Sequence, residues 1–524
     1  MEYTLLMMLS FLMLNTFEAQ DTTVLSPDRN TTKISLVNNT DQNPFTKRIS
    51  LEPSNQIVFN IIQVPKDIHF IIAQIHTYNH NVSLSYSKEQ IRTNFSDTLH
   101  GTNIGLFKNT VQEKSVDLYV TNDNALQVEM LLVVTLYDEF APIPGGCNME
   151  FETEIAPYQK VTLGNGAIIV DAQPASSPLT NQDHNSCQNL SIQYDAYRMY
   201  LPEGDWSIDT YFNSIKKMLV FDDVINNAQK ISASTLYSPM RRIYSAYFET
   251  GSVYVMIATQ NKYSSLYVST VSYGCDPLNL ETCKLINSSF AQFLCVMTFL
   301  LGLFAVAYGH KIFKLDMFVT IYFVGAIAGY IIAAASGNTS HSARIGTGIG
   351  VGLLFGFSSL IMWHCKIHWA LHNLTIRLSF GLLIASIFYY CAPDSAAAIQ
   401  TNWSFWFIYF VIIIVTLMIT HCFCIWTVHQ TCQIVVRTIT CAIYGSFMII
   451  LSLDYWIGGN LKYIVINLIR RACEPGFNYA IIRPPHQSKD ICLIILWIFL
   501  AVWRTIMYIK KLIKDIARGG YESY

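Results

Sequence analysis

The 524-residue sequence predicts a multi-domain membrane protein: an all-β ectodomain of two β-sandwich-like domains, the second with a helix, followed by a seven-helix transmembrane bundle. Three observations predict it. Short runs with period-two alternation fill residues 20–285, long apolar windows fill residues 286–510, and charge divides sharply between the halves. Residues 1–285 hold 29 acidic and 18 basic side chains, whereas residues 286–524 hold 7 acidic and 16 basic. Bilayer-embedded segments exclude carboxylates most strictly, which gives that division a physical cause. No basic patch is dense enough for a nucleic-acid partner.

In chain order, residues 1–19 read as a signal peptide. Leu5–Leu14 form an apolar core interrupted only by Ser10, too short to span a bilayer, with an exit near Ala19; an uncleaved signal anchor is the alternative. Residues 20–142 read as the first sandwich, with strands at 56–64, 68–78, 81–87, 115–121 and 126–138. Val82, Leu84 and Tyr86 alternate with Ser83 and Ser85, and a later run turns apolar from Leu131 to Leu136. Pro142-Ile143-Pro144-Gly145-Gly146 breaks the chain before a second β-rich unit at 146–285. Its expected strands are Met149–Ile155, two runs about the Gly164-Asn165-Gly166 turn, and stretches near 190–200, 252–259 and 264–272. Between them, Ile208, Phe212, Ile215 and Leu219 share one helical face over 205–220, with Asp205 or Ser207 as cap.

Residues 286–510 hold apolar windows at 290–309, 317–336, 345–363, 374–391, 405–424, 435–457 and 491–509, each near the ~20 residues that cross a bilayer. Seven crossings place the N-terminus outside and the 511–524 tail in the cytosol, where Lys510, Lys511, Lys514 and Arg518 obey the positive-inside rule. The last outer loop breaks that rule with Lys462, Arg470, Arg471, Arg483 and Lys489. Tyr463, Ile466, Leu468 and Ile469 there suggest an amphipathic helix lying at the membrane interface.

Thirteen cysteines divide the same way. Four lie in the ectodomain, Cys147, Cys187, Cys275 and Cys283, an even number that suggests two disulfides in an oxidising compartment. Three connectivities are open, and proximity in sequence favours Cys147–Cys187 with Cys275–Cys283. The other nine are expected to act as small apolar residues. Six glycosylation sequons precede the first membrane helix, at Asn30, Asn38, Asn81, Asn94, Asn189 and Asn287. Those at Asn338, Asn373 and Asn402 read as chance matches.

Candidate chemistry is sparse. His364, His368 and His372 recur every four residues, a spacing that can hold zinc but more often marks interface-facing histidines, so no metal or cofactor is expected. Gly348, Gly352 and Gly356 lie four apart inside a membrane window and read as a packing face, with Gly325 and Gly329 as its counterpart. Asp454 and Arg437 are the candidate intramembrane polar residues. Seventeen residues of helix hold them roughly 25 Å apart, so they do not pair directly, and Tyr455 and Trp456 favour an anchoring role for Asp454. The landmarks of rhodopsin-type receptors are missing: Ile361-Met362-Trp363-His364 ends the third helix, and the seventh has no Asn-Pro-x-x-Tyr.

Pro142-Ile143-Pro144-Gly145-Gly146-Cys147-Asn148 with Glu150-Phe151, then Gln193-Tyr194-Asp195 with Tyr197, and Leu201-Pro202-Glu203 resemble the transmembrane 7 superfamily member 3 family. Gly309-His310 with Lys314, Asp454 with Trp456, Asn467 with Arg471-Ala472, and Trp497 extend the likeness from about 55 to 505. The Asp454 loop is one residue shorter than the family pattern, and the histidine series is not part of it. The resemblance implies a seven-helix protein of the cell surface or endomembranes, associated with cell survival and protein homeostasis under stress, in a family without an established enzymatic activity. It also implies a membrane domain similar to that of Wnt-pathway scaffold proteins. The expected function is therefore a non-enzymatic receptor-like or scaffold glycoprotein whose partners are the lipid bilayer and an extracellular or lumenal protein. A transporter or channel with a polar site at Asp454 and Arg437 is the alternative, and a membrane-embedded metal-dependent hydrolase a lesser one.

Overall fold

In a computed structural model the chain is described over residues 23–24, 31–87, 98–111, 115–147, 157, 159–164, 166–178, 187, 192–202, 204–231, 240–248, 250–275, 283, 289–308, 313–337, 341–364, 369–392, 399, 401–426, 429–485 and 487–517. The leader, the tail from 518, the strand expected at Met149–Ile155 and the sequons at Asn30, Asn94, Asn189 and Asn287 lie outside the described residues. Asn38 and Asn81 are exposed.

The first unit is a sandwich of two five-stranded sheets. One runs β1 (Thr23–Val24), β3 (Phe45–Leu51), β10 (Val128–Tyr137), β5 (Phe70–Thr77), β8 (Asn103–Asn109). The other runs β2 (Thr31–Ser35), β4 (Gln56–Ile62), β9 (Ser115–Thr121), β6 (Val82–Ser85), β7 (Leu99–Gly101). The apolar run of β10 has a direct cause. Met130, Leu132, Val134 and Leu136 fill the sandwich core, while Leu131 and Val133, facing the other way, join the core of the second unit. A strand buried on both faces has no solvated side on which to alternate.

The second unit pairs β13 (Gln193–Tyr200) between β14 (Gln229–Ile231) and β16 (Ser252–Gln260), with β17 (Tyr263–Leu266) and β18 (Thr270–Ser272) also on β16. A second sheet holds β11 (Lys160–Leu163), β12 (Ala167–Asp171) and β15 (Arg241–Ser245). Helix α1 (Ile208–Lys216) is capped by Ser207, whose hydroxyl accepts the Thr210 N–H at 3.2 Å. A second, short helix, α2 (Phe221–Asn227), follows; it has no side-chain cap, and Asp222 and Asp223 stand in its first turn. Disulfides join Cys147 to Cys187 and Cys275 to Cys283.

The C-terminal half is helical: α3 (Ser289–Tyr308), α4 (Phe313–Ala335), α5 (His341–His364), α6 (Trp369–Tyr390), α7 (Asn402–Trp426), α8 (His429–Ile457), the short α9 (Tyr463–Cys473) and α10 (Ser488–Ala517). Among the described residues, five segments are long and apolar enough to cross a membrane: Met317–Ala335, Ala343–Ile361, Asn402–Cys422, Thr438–Ile457 and Ser488–Lys511. Gln292–Tyr308 and Leu374–Tyr390 are shorter apolar helices. Helices α4 and α5 form a close hairpin. A Cβ added to Gly352 would stand 2.8 Å from the Tyr322 carbonyl oxygen, one on Gly348 2.8 Å from that of Ala326, and one on Gly356 2.7 Å from the Phe318 ring. From the other side Gly325 and Gly329 admit Phe355 and Val351.

Candidate functional site at the junction of ectodomain and bundle

The loop from α8 to α10, rich in basic residues, joins the bundle to the second sandwich. It begins at Asp454, fully buried near the end of α8. Gly458 and Gly459 N–H groups close the helix on the Asp454 carbonyl at 2.9 and 3.0 Å. The Asp454 carboxylate then accepts the Leu461 N–H at 3.0 Å and the Lys462 N–H at 2.9 Å, with the Lys462 ammonium at 3.9 Å. These N–H groups lead into α9, so a negative charge meets the positive end of that helix. Gly459 must be glycine, because a Cβ there would collide with the Asp454 carboxylate. Asp490, at the start of α10, takes the Asn460 N–H at 2.7 Å and its side-chain amide at 3.1 Å. Gln487 accepts the same amide at 2.7 Å and donates to Thr250 of the second sandwich at 2.9 Å.

Helix α9 is wedged between protein on both sides, which corrects the expectation of a helix lying on the membrane interface. Towards the bundle, Leu461, Tyr463 and Ile464 share one core with Leu383 and Tyr390 of α6, Phe447 and Ile450 of α8, and Leu493 of α10. Tyr247 of the second sandwich completes that core and meets the Tyr463 ring at 4.7 Å. Towards the sandwich, Asn467 accepts from the Ser245 hydroxyl at 2.9 Å and donates to the Tyr247 hydroxyl at 3.3 Å. The Arg470 guanidinium donates to the Ala246 carbonyl at 2.9 Å and to Ser245 at 3.2 Å, beneath the rings of Tyr463, Phe248 and Phe477. Burial pulls its pKa below the usual guanidinium range, opposed by Tyr463 and Tyr247; an arginine stays charged through such a shift. Gly166, at φ +79°, turns the β11–β12 hairpin where a Cβ would enter that guanidinium. Arg471 points the other way, 4.0 Å over Phe405 of α7, and donates to the Asn478 carbonyl at 3.0 Å. Two of the basic residues expected in the last outer loop, Arg470 and Arg471, are thus taken up inside the protein.

Past α9 the loop makes one parallel β-bridge to β15. Ile481 N–H donates to the Ile243 carbonyl at 2.8 Å, and Ser245 N–H donates to the Ile481 carbonyl at 3.0 Å. Ile481 lies parallel to β15 beside Tyr244, at the open edge of the β11–β12–β15 sheet. Its side chain enters the second sandwich's core, while Ile482 enters a helical core with Phe405 and Tyr409. The Tyr247 hydroxyl donates to the Ile482 carbonyl, and the Tyr200 hydroxyl to that of Arg483 at 2.8 Å. The two main-chain bonds of this bridge use the sheet edge as an added strand would, over a single residue.

Asp454 is therefore held as the organiser of a loop, and its two oxygens are already engaged. Arg437 lies in α8 with its side chain outside the described residues, as do the side chains of His364 and His372 and the whole of His368. Sequence reasoning missed Ser245, Tyr247, Gln487 and Ile481. The one available signal was the surplus of basic residues in the loop.

A two-sandwich ectodomain docked by main-chain pairing and a shared core onto an apolar helical bundle defines a multi-pass membrane protein with an immunoglobulin-like ectodomain. Family models match it in chain order: the TM7SF3-like, N-terminal immunoglobulin-like domain over residues 37–137, the TM7SF3-like, second immunoglobulin-like domain over 142–278, and the TM7S3/TM198-like domain over 295–507. The chain belongs to the transmembrane 7 superfamily member 3 family. Proteins named Transmembrane 7 superfamily member 3 from Homo sapiens and Rattus norvegicus are each 24% identical to it, over 466 and 468 residues, covering 86% of this chain and 79% of theirs. Their names describe membrane proteins rather than enzymes.

Proposed function

We propose that this chain is a non-enzymatic receptor-like or scaffold glycoprotein. It crosses the membrane seven times, with its N-terminus extracytoplasmic and its C-terminus cytosolic. Its ectodomain binds a protein partner, and the bundle responds through the 458–490 loop. The observation that carries this reading is Ile481, hydrogen-bonded into the ectodomain sheet while Ile482 packs into the helices. A partner that reshapes β15 therefore moves the ends of α8 and α10 by rigid connection rather than through a flexible linker. A role in cell survival and protein homeostasis follows from the family resemblance.

Proximity labelling from the ectodomain of the full chain tests the reading. Recovery of one protein partner from cells carrying the native chain, and its loss when Tyr247→Ala and Ser245→Ala loosen the junction, is the expected outcome. Solute or ion flux through the purified protein in liposomes, abolished by Asp454→Asn, would replace it with the transporter reading.

A further inference from the structure

The outer face of the β3–β10–β5–β8 sheet is the floor on which the second sandwich sits. Gly105 makes room for Val268, the Tyr137 hydroxyl accepts the Leu266 N–H at 3.2 Å, and Arg48 bridges Glu129 to Asp209 of α1 while lying over Phe212. At the centre of this face is His76, fully buried and opposite Leu131 on one neighbouring strand and Asn103 on the other. Its Nδ1 lies 2.9 Å from the Asn103 Oδ1, and its Nε2 lies 3.2 Å from the Gln74 side-chain amide oxygen. The same Asn103 oxygen accepts the Tyr211 hydroxyl of α1 at 3.0 Å. One amide thus ties the histidine of the first sandwich to the helix of the second.

We propose that His76 makes the interface between the two sandwiches an acid-sensitive latch, closed near neutral pH and opened by acidification.

The surroundings decide the direction. Tyr211 meets Tyr78 edge-on at 5.3 Å, Tyr273 lies beyond Tyr78, and Trp206 stacks on Tyr273 at 4.4 Å, so the titratable neighbours are neutral phenols. The charged groups of α1 and the sheet are committed elsewhere. Asp205 accepts from Thr210 and Ser207; Glu129 and Asp209 hold Arg48; Lys216 adds positive charge near Arg48. Among the described residues no carboxylate forms an ion pair with His76. A second proton on the ring would place a whole charge in a dry aromatic layer. Burial accordingly lowers the His76 pKa from 6.5 to about 4, opposed by the Asn103 bond; the Gln74 oxygen at the other ring nitrogen, which only a second N–H could satisfy, pulls the same way as Asn103. When the sandwiches separate and His76 is hydrated, it takes the proton near its ordinary value. The closed state therefore has its full strength above the ordinary value and loses it as pH falls towards about 4. At about pH 5 the open-to-closed ratio rises roughly 30-fold over that at neutral pH.

Hydrogen–deuterium exchange of the full chain in lipid nanodiscs, corrected for intrinsic rates, reads this directly. Between about pH 7.5 and 5, peptides covering α1 are expected to lose protection by about 30-fold while β4, β5 and β9, paired within the first sandwich, keep theirs. His76→Gln, which retains an amide donor without the titration, is expected to hold the same protection at both values. If that variant does not fold, Asn103→Asp, which gives the imidazolium a counter-charge, is expected to shrink the acid effect. Unchanged protection in the native chain, or equal opening in either variant, overturns the latch.

Discussion

At the residue scale the junction depends on charged groups placed where water is excluded. Arg470 has five donors, and replacing it with Met removes the bonds to Ala246 and Ser245 and leaves buried acceptors behind. A loss of about 2–4 kcal/mol in unfolding stability is expected for the full chain in detergent, with Lys recovering only part of it. Gly166→Ala should also destabilise, by about 1–3 kcal/mol, through its positive φ and the collision with Arg470. The pair is testable as a cycle with Arg470→Ala, which clears the space a Cβ at Gly166 would enter, so the double variant should lose less than the sum. Additive losses would show that the two do not meet. The sequence marked this region by a surplus of positive charge and marked Asp454 by its ionisable side chain. It did not show that both Asp454 oxygens face main-chain N–H groups, because those groups belong to a loop whose course depends on glycines with no periodic signature.

At the element scale, period was legible wherever one face met solvent or one core. Strands β4, β5, β6, β9 and β10 fall where alternation or apolar runs place them. Strand β7 escaped because Leu99–Gly101 spans three residues, and β8 because Gly105 interrupts its apolar run; β1, β2 and β3 were not marked either. Helix α9 was legible as an amphipathic helix, but sequence cannot say whether an apolar face meets lipid or protein; Tyr463, Ile464, Asn467, Arg470 and Arg471 are all buried. The α4–α5 hairpin gives the cleanest test at this scale. Gly352→Leu drives a side chain into the Tyr322 backbone and should cost about 1–3 kcal/mol, seen as a lower Tm in detergent. Gly350→Leu, on a face with nothing within 4 Å, should leave Tm nearly unchanged. Equal effects of the two would mean that the hairpin does not pack through Gly352.

At the scale of the whole molecule, the split of charge and cysteines marked the β-rich and helical halves, but their attachment was hidden. The bond from Ile481 to β15 joins residues more than two hundred positions apart, and no local pattern records it. The proposed orientation makes its own expectation: glycosidase treatment should increase the gel mobility of the protein from cells, since Asn38 and Asn81 are exposed on the first sandwich. Unchanged mobility would count against an extracytoplasmic ectodomain. The central claim is that ectodomain and bundle form one continuous unit through the loop. Hydrogen–deuterium exchange of the full chain in nanodiscs at neutral pH, read on peptides spanning 479–483, tests it most directly. Protection comparable to that of β15 is the expected result, falling sharply in Arg470→Met. Exchange of that segment in the native chain as fast as an exposed loop would contradict it.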